Sequence, residues 1–289
     1  MTDGVFVTGA TGFVGTHLVQ ALRAQGRHVV THSRADGDIA RCPLRFDGVE
    51  RVVHLAGRSF VPDSWQQPRD FYDVNLLGTA NVLDACRRSN LKVVFVSSYV
   101  YGNPRSLPIA EDHPLQPLNP YSHSKILAED AVRYYRSQFG VRATIVRPFN
   151  IYGPGQDERF LLPTIIRQGV DPAIDRITVR DLRPRRDFIH VRDLVALLIA
   201  TLARVDDGVF NAGSGASFAV GEVVAEVNAA LDRPKPVECT GDERREEVLD
   251  VVADISRAGR ELGWTPRVAF RDGVRETVEW ARTRAAALR

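Results

Sequence analysis

The chain of 289 residues is long enough for one large domain or two small ones, and its 44% apolar and 26% charged fractions are those of an ordinary globular protein. A formal net charge of +2 gives no global reason to expect nucleic acid or a membrane surface as partner, and no apolar run approaches bilayer-spanning length. Cys42, Cys86 and Cys239 are odd in number and lack metal-like spacing, so free thiols in a reducing cytoplasm and no metal site are expected.

Val5-Phe6-Val7 is a β-branched and aromatic run too short for a helix, and it predicts a buried strand. Gly9, Gly12 and Gly15 follow, with Thr11, Phe13 and Val14 between them. The first glycine permits a tight turn, the second lets backbone N–H groups approach a pyrophosphate, and the third lets a helix lie close to the sheet. Leu18 and Leu22 repeat after Val14 at helical spacing, Gly26 is a stop, and His28 to His32 is a second strand. The unit is strand, helix, strand, with the helix N-terminus aimed at phosphates.

After the second strand, where a free ribose 2′-hydroxyl calls for a carboxylate, the chain has Ser33 and Arg34. Both can donate to a 2′-phosphate, so NADP(H) is favoured, with NAD(H) as the alternative. The segment from Ala35 to Glu50 is short for a strand, a helix and their connections. Arg51 to Leu55 predicts the next strand, running into Ala56 and Gly57, where small residues allow the cofactor's approach. Trp65 is expected to pack, and a helix is expected from Asp73-Val74-Asn75 to Asn90.

Lys92 to Val96 predicts a buried strand that delivers Ser97, Ser98 and Tyr99 at its carboxyl end, the edge where open α/β sheets bind ligands. Ala128, Ala131, Val132 and Tyr135 then carry a helical pattern that Tyr121 and Lys125 open. Four residues apart, the two share one helix face, and an ammonium beside a phenol would lower its pKa from about 10.

Ala143 to Val146 predicts a strand ending in the loop Arg147 to Gln156, whose glycines and prolines suit a substrate wall. Arg183, Arg185 and Arg186 precede Asp187-Phe188-Ile189-His190-Val191, and guanidinium groups there match a diphosphate. Asp193 is placed to cap the helix of Val195, Leu198, Ile199 and Leu202. Gly208 to Asn211 predicts a strand returning to the sheet, and Val220, Val223, Val224, Val227 and Leu231 an amphipathic helix. Arg244 and Arg245 sit before an expected strand from Val248 to Ala253, and the stretch Leu262-Gly263-Trp264 and a helix from Gly273 to the end look structural.

The TGxxGxxG turn at Thr8 to Gly15, Ser97, the Tyr121…Lys125 pair and the stretch RDFIHVRDL resemble the extended branch of the short-chain dehydrogenase/reductase superfamily, the NAD-dependent epimerase/dehydratase family. The resemblance runs nearly end to end. It implies an α/β fold: a Rossmann-type doubly wound parallel sheet with a smaller C-terminal α/β substrate domain. The dinucleotide-binding domain would take residues 1–157, with 187–212 returning to it, and the substrate domain 158–186 and 213–289. By the same resemblance Tyr121 is the general acid/base, Lys125 also holds the nicotinamide ribose, and Ser97 hydrogen-bonds the reacting oxygen. Ser97 is taken over Ser98 because the family counts this residue five before the glycine of Val100-Tyr101-Gly102. Asp38-Ile39 stands for the family's adenine-contacting pair; Asn75 is placed near the active site, with Pro148 beside the cofactor. Ser98, Tyr99, Asn150, Phe160, Leu161, Arg186 and Arg245 fall to the substrate, with Asn150, Arg186 and Arg245 on its diphosphate.

Within the family, FVPDSWQQP, RPFNIYGPGQ and DLRPRRDFIHVRDLV are closest in pattern to reductases of GDP-4-keto-6-deoxymannose, an activity of deoxysugar biosynthesis. The dehydratases' acidic pair after the catalytic Ser/Thr is replaced by Ser98 and Tyr99, which disfavours elimination of water. The alternative enzyme is an NAD-dependent 4-epimerase of the UDP-glucose type; Phe160 stands where those epimerases tend to carry asparagine. A cofactor-binding regulatory protein on the same fold is the non-enzyme alternative. The resemblance also implies a nucleotide-diphosphate sugar as partner and a cytoplasmic homodimer.

Overall fold

The computed structural model describes residues 4–203, 207–241 and 248–287. β1 (Val5–Thr8) is buried along its whole length and runs through the glycine turn into α1 (Phe13–Ala24), which buries Gly15, Leu18, Val19 and Leu22. Gly26, at φ +73°, follows the helix end, and β2 (Val29–His32) pairs parallel with β1. β3 (Arg51–His54) lies on the other side of β1, with Val5 opposite both Val29 and Arg51. Chain order therefore reverses between β1 and β3, and a ligand crevice is expected at the carboxyl end of that switch point.

Between β2 and β3 there is one 3₁₀ turn (Arg34–Asp36) and no strand or longer helix. The irregular chain instead folds back on the sheet, where Phe46 meets Phe6 edge-on at 5.0 Å and Ile39 and Val49 are buried. The short segment noted in the sequence thus leaves β2 as the sheet edge.

The run toward Asn90 begins with α2 (Val61–Gln66) and then continues unbroken through α3 (Pro68–Phe71), a π-helical turn over Tyr72–Leu77 and α4 (Gly78–Ser89), closed by Asn90 at φ +52°, so the expected helix is present and starts in a π-helical turn. Pro68 forces the break at Gln67 because it lacks the donor that an uninterrupted helix needs, whereas Pro62 sits in the first turn of α2, where that donor has no partner to lose. Trp65 does not pack as expected; it is 64% exposed on α2.

β4 (Lys92–Val96), α5 (Pro120–Phe139) and β5 (Ala143–Pro148) continue the sheet, followed by β6 (Asn150–Tyr152), α6 (Leu161–Val170) and β7 (Ile177–Val179). β8 (Arg185–His190) leads into α7 (Val191–Ala203), and β9 (Val209–Ala212) returns to pair with β5, so the six parallel strands run β2-β1-β3-β4-β5-β9. One face packs on α1 and α7 through Leu18, Leu22, Leu194 and Leu198, the other on α4 and α5 through Val82, Leu83, Ala128 and Val132.

β10 (Ser217–Ala219) joins β8 and β6 in a second sheet; α8 (Val220–Ala229), β11 (Val237–Cys239), α9 (Ser256–Leu262) and α10 (Phe270–Ala287) complete the chain. A separate core of Leu162, Ile165, Phe188, Val223, Phe270 and Val274 holds α6, α8 and α10 together. The strand expected from Val248 to Ala253 is absent; the chain there makes separate backbone contacts, the Arg185 N–H donating to the Leu249 carbonyl at 2.7 Å and Ala253 bridging to Ile109. Asp193 does not cap α7 either. Its carboxylate accepts the Arg267 and Val268 N–H groups at 3.0 Å each, pinning the approach to α10. Among the described residues no helix is long and apolar enough to cross a membrane.

Candidate active site

Gly9 and Gly15 of the first turn are each required by a close approach. A Cβ on Gly9, which has φ +66°, would sit 2.7 Å from the Ala56 nitrogen, and one on Gly15 would sit 2.2 Å from the Gly9 oxygen. Gly12 starts α1 with no side-chain cap and no acidic residue in the first turn, so the N–H groups of Phe13 and Val14 are left to an anion. Thr11 is exposed at the same mouth.

Thr8, which the sequence reading passed over, ties the two strands flanking the crevice. Its hydroxyl oxygen accepts the Leu55 and Ala56 N–H groups at 3.1 Å each, so its proton goes to His54 Nδ1 at 2.7 Å. His54 Nε2–H then faces the Thr79 hydroxyl at 3.1 Å, which donates to the Asn75 carbonyl at 2.6 Å. Burial, with the Lys125 charge adding to it, pushes the His54 pKa down to about 3, so the chain of bonds stays neutral.

At the ribose end, Ser33 is not free: its N–H and hydroxyl both donate to the Asp36 carboxylate, at 2.8 and 2.9 Å. Asp38 accepts from the Ala40 N–H at 3.0 Å, and Ile39 is buried against Gly78, a core position rather than an open adenine wall.

Asn75 lies in the π-helical turn and is buried, with its side chain spent on the protein. Its Oδ1 accepts the Arg58 N–H at 2.8 Å, and its Nδ2 donates to the Arg58 carbonyl and, at 2.9 Å, to Ser124 Oγ. Ser124 in turn donates to the Tyr121 carbonyl at 2.7 Å. Asn75 therefore links the wall at Gly57 to the turn bearing Tyr121 and offers no open donor to a cofactor.

Asn119 caps α5 by accepting the Ser122 N–H at 2.8 Å, and Pro120 takes the first helical position, so Tyr121 and Lys125 open the helix as the sequence predicts. Tyr121 meets Phe71 edge-on at 6.2 Å. Burial raises its pKa and the Ser98 hydroxyl, hydrogen-bonded to the phenol, lowers it; burial wins. This corrects the expected lowering by lysine. Lys125 is buried with its ammonium donating to the Val96 carbonyl at 2.7 Å and 4.5 Å from the Phe95 ring centre, and burial depresses its own pKa to about 8. Ser97 Oγ is buried with no hydrogen-bond partner among the described residues, so a donor is held in reserve one residue past β4.

On the substrate side, β8 alternates. Arg185 turns outward to Ser217 and Glu222, while Arg186 stands close enough to Tyr99 to influence its phenol and donates to the Val248 carbonyl at 2.6 Å. Arg183 pairs with Asp181 at 2.8 Å. Asn150 donates to the Asp187 carbonyl at 3.2 Å, and Pro148 ends β5 beside it. Phe160 meets Phe60 edge-on at 5.5 Å, and Leu161 is 38% exposed at the start of α6. Arg245 lies outside the described residues.

A cradle too tight for a Cβ at Gly9 or Gly15, an uncapped helix start and a buried hydroxyl without a partner fit a nicotinamide dinucleotide lying along the switch point. The NAD dependent epimerase/dehydratase family matches residues 5–213. The chain is 31% identical to a UDP-glucose 4-epimerase of Azospirillum brasilense, over 96% of this chain and 92% of that one. It is 30% identical to a GDP-6-deoxy-D-mannose reductase of Pseudomonas aeruginosa, over 95% and 96%. RMD from Pseudomonas aeruginosa complexed with NADPH superposes with a TM-score of 0.88 at 30% identity, covering 98% of this chain and 100% of that one.

Proposed function

The chain belongs to the NAD dependent epimerase/dehydratase family and is a nicotinamide-dependent enzyme of nucleotide-sugar chemistry, and from that premise we propose that it reduces the 4-keto group of a nucleotide-linked 6-deoxyhexose with NADP(H). The observation that carries the reading is Tyr121: a half-buried phenol kept protonated by its surroundings, touching Ser98, with the unpartnered Ser97 hydroxyl on the adjoining strand end. The cofactor, when bound, supplies the hydride. Tyr121 gives its proton to the forming alkoxide, Ser97 donates to the same oxygen as charge develops there, and the Lys125 ammonium leaves the Val96 carbonyl to hold the nicotinamide ribose.

Residues 1–157 and 187–212 carry the cofactor in this reading, with Gly9 to Gly15, Ser33, Arg34 and Leu55 to Gly57 along it. Residues 158–186 and 213–289 cover the sugar nucleotide, with Tyr99, Asn150, Phe160, Leu161, Arg186 and Arg245 on the substrate. The similarity to a GDP-6-deoxy-D-mannose reductase supports a GDP-linked 4-keto-6-deoxy sugar. Similarity of the same degree to UDP-glucose 4-epimerases favours one second reading, a 4-epimerase that uses the same residues. A homodimer is inferred as well, supported by Tyr134 (58%) and Phe139 (47%) exposed on α5.

Mixing the protein with NADPH and a GDP-linked 4-keto-6-deoxyhexose separates the two readings. The reductase consumes one NADPH per sugar. Interconversion of UDP-glucose and UDP-galactose without net cofactor use refutes it and installs the epimerase.

A further inference from the structure

At the end of β2 the protein presents an anion of its own to the donors a 2′-phosphate needs. Ser33, in an extended conformation, gives both its N–H (2.8 Å) and its hydroxyl (2.9 Å) to one carboxylate oxygen of Asp36, and the Ala35 N–H donates at 3.3 Å to Ser33 Oγ. The three-residue turn between them is closed by Gly37 at φ +132°. Asp36 and Arg34 are both exposed, and the Arg34 guanidinium makes no hydrogen bond or ion pair among the described residues. The subsite thus consists of an uncommitted guanidinium, two committed donors and a carboxylate that commits them. The Ser33 backbone N–H and then its hydroxyl hold the Asp36 carboxyl below the usual range, so it is ionised at neutral pH.

A phosphate oxygen cannot take Ser33's donors while Asp36 has them, and a dianion bound beside Arg34 meets a like charge within a few ångströms. A ribose 2′-hydroxyl carries no charge and leaves the turn as it is. We infer that Asp36 is the residue that sets the choice of cofactor: its carboxylate stands in for the 2′-phosphate on Ser33 and weakens NADP(H) while leaving NAD(H) untouched. The inference rests on the reading that Ser33 and Arg34 form the 2′-phosphate site. It makes that site weaker than its residue types suggest, so both cofactors remain usable.

Calorimetric titration of NADPH and NADH into the wild type, Asp36→Asn and Asp36→Ala tests it without turnover. Asparagine keeps an acceptor oxygen for Ser33 and removes the charge, whereas alanine removes both; because the side chain is exposed, melting temperatures should stay near wild type. Both variants should bind NADPH about tenfold tighter, the equivalent of one like-charge contact removed, with NADH changed less than about threefold. In a Ser33→Ala background the gain from Asp36→Asn should shrink, since the contested donor is gone. Unchanged or weaker NADPH binding in both variants overturns the inference. So does weaker NADH binding with NADPH unchanged, which would make Asp36 a ribose ligand. Failure of the underlying reading looks different: Arg34→Ala in the Asp36→Asn background would leave NADPH binding unchanged.

Discussion

Tyr121 and Lys125 sit one helical turn apart, yet their environments push their pKa values in opposite directions: burial raises the phenol and lowers the ammonium to about 8. The phenol is therefore a proton donor across the neutral range, and the ammonium is the group that titrates. Tyr121→Phe should lower kcat by a factor of about 10² to 10⁴ while the dissociation constant for NADPH stays within about twofold, since only proton transfer is lost. Because the charged form of Lys125 is the one that can hold the ribose hydroxyls, kcat/KM should fall as pH rises through about 8. In Lys125→Arg the alkaline limb should move up or vanish, because guanidinium keeps its proton there; an unchanged limb would assign it to another group. The residue types and the four-residue spacing were legible in the sequence. That Ser98 touches the phenol while Ser97 stands unpartnered was not, because it depends on where each side chain turns past the end of β4.

The start of α5 is held by neighbours as much as by its own cap. Asn75 and Ser124 join the wall after β3 to the Tyr121 carbonyl, which makes them positioning residues. Ser124→Ala should reduce kcat several-fold with KM and NADPH affinity little changed; loss of all three together would mean only a damaged fold. Farther along the helix, Glu129 and Arg147 form a buried bidentate pair at 2.9 and 2.6 Å, with Tyr101 donating its share to the network around Asn211. Arg147→Met should cost about 3 kcal/mol in urea unfolding, because it strips a buried carboxylate of its main partner. The strands and long helices could be read from hydrophobic runs and 3.6-residue periodicity. Breaks and substitutes could not: the π-helical turn sits where the Asn75 side chain bonds to Arg58 and Ser124, and Val248 to Ala253, strand-like in composition, makes scattered backbone bonds to Arg185 and Ile109 instead of a ladder.

At the scale of the whole molecule, six parallel strands put the glycine turn, the ends of β3 and β4 and the start of α5 along one edge of the sheet. That architecture was legible from the order of elements, although the pairing of β9 with β5 and the bare edge at β2 needed coordinates. Two buried histidines also tie the fold to pH. His54 is depressed to about 3 and His190 to about 4, in each case first by burial, so between about pH 6.5 and 4 the unfolded chain takes up protons that the folded one refuses. Stability should decline as pH falls through that window, read as a falling melting temperature, and His54→Gln should flatten the slope. The most direct measurement of the central claim uses NADPH carrying deuterium at its transferable position, a 4-keto-6-deoxyhexose nucleotide and one turnover. The account predicts deuterium at C4 of the released sugar and an equal amount of NADP⁺, both formed about 10² to 10⁴ times more slowly by Tyr121→Phe; unlabelled product, or labelled product from that variant at the wild-type rate, would contradict it.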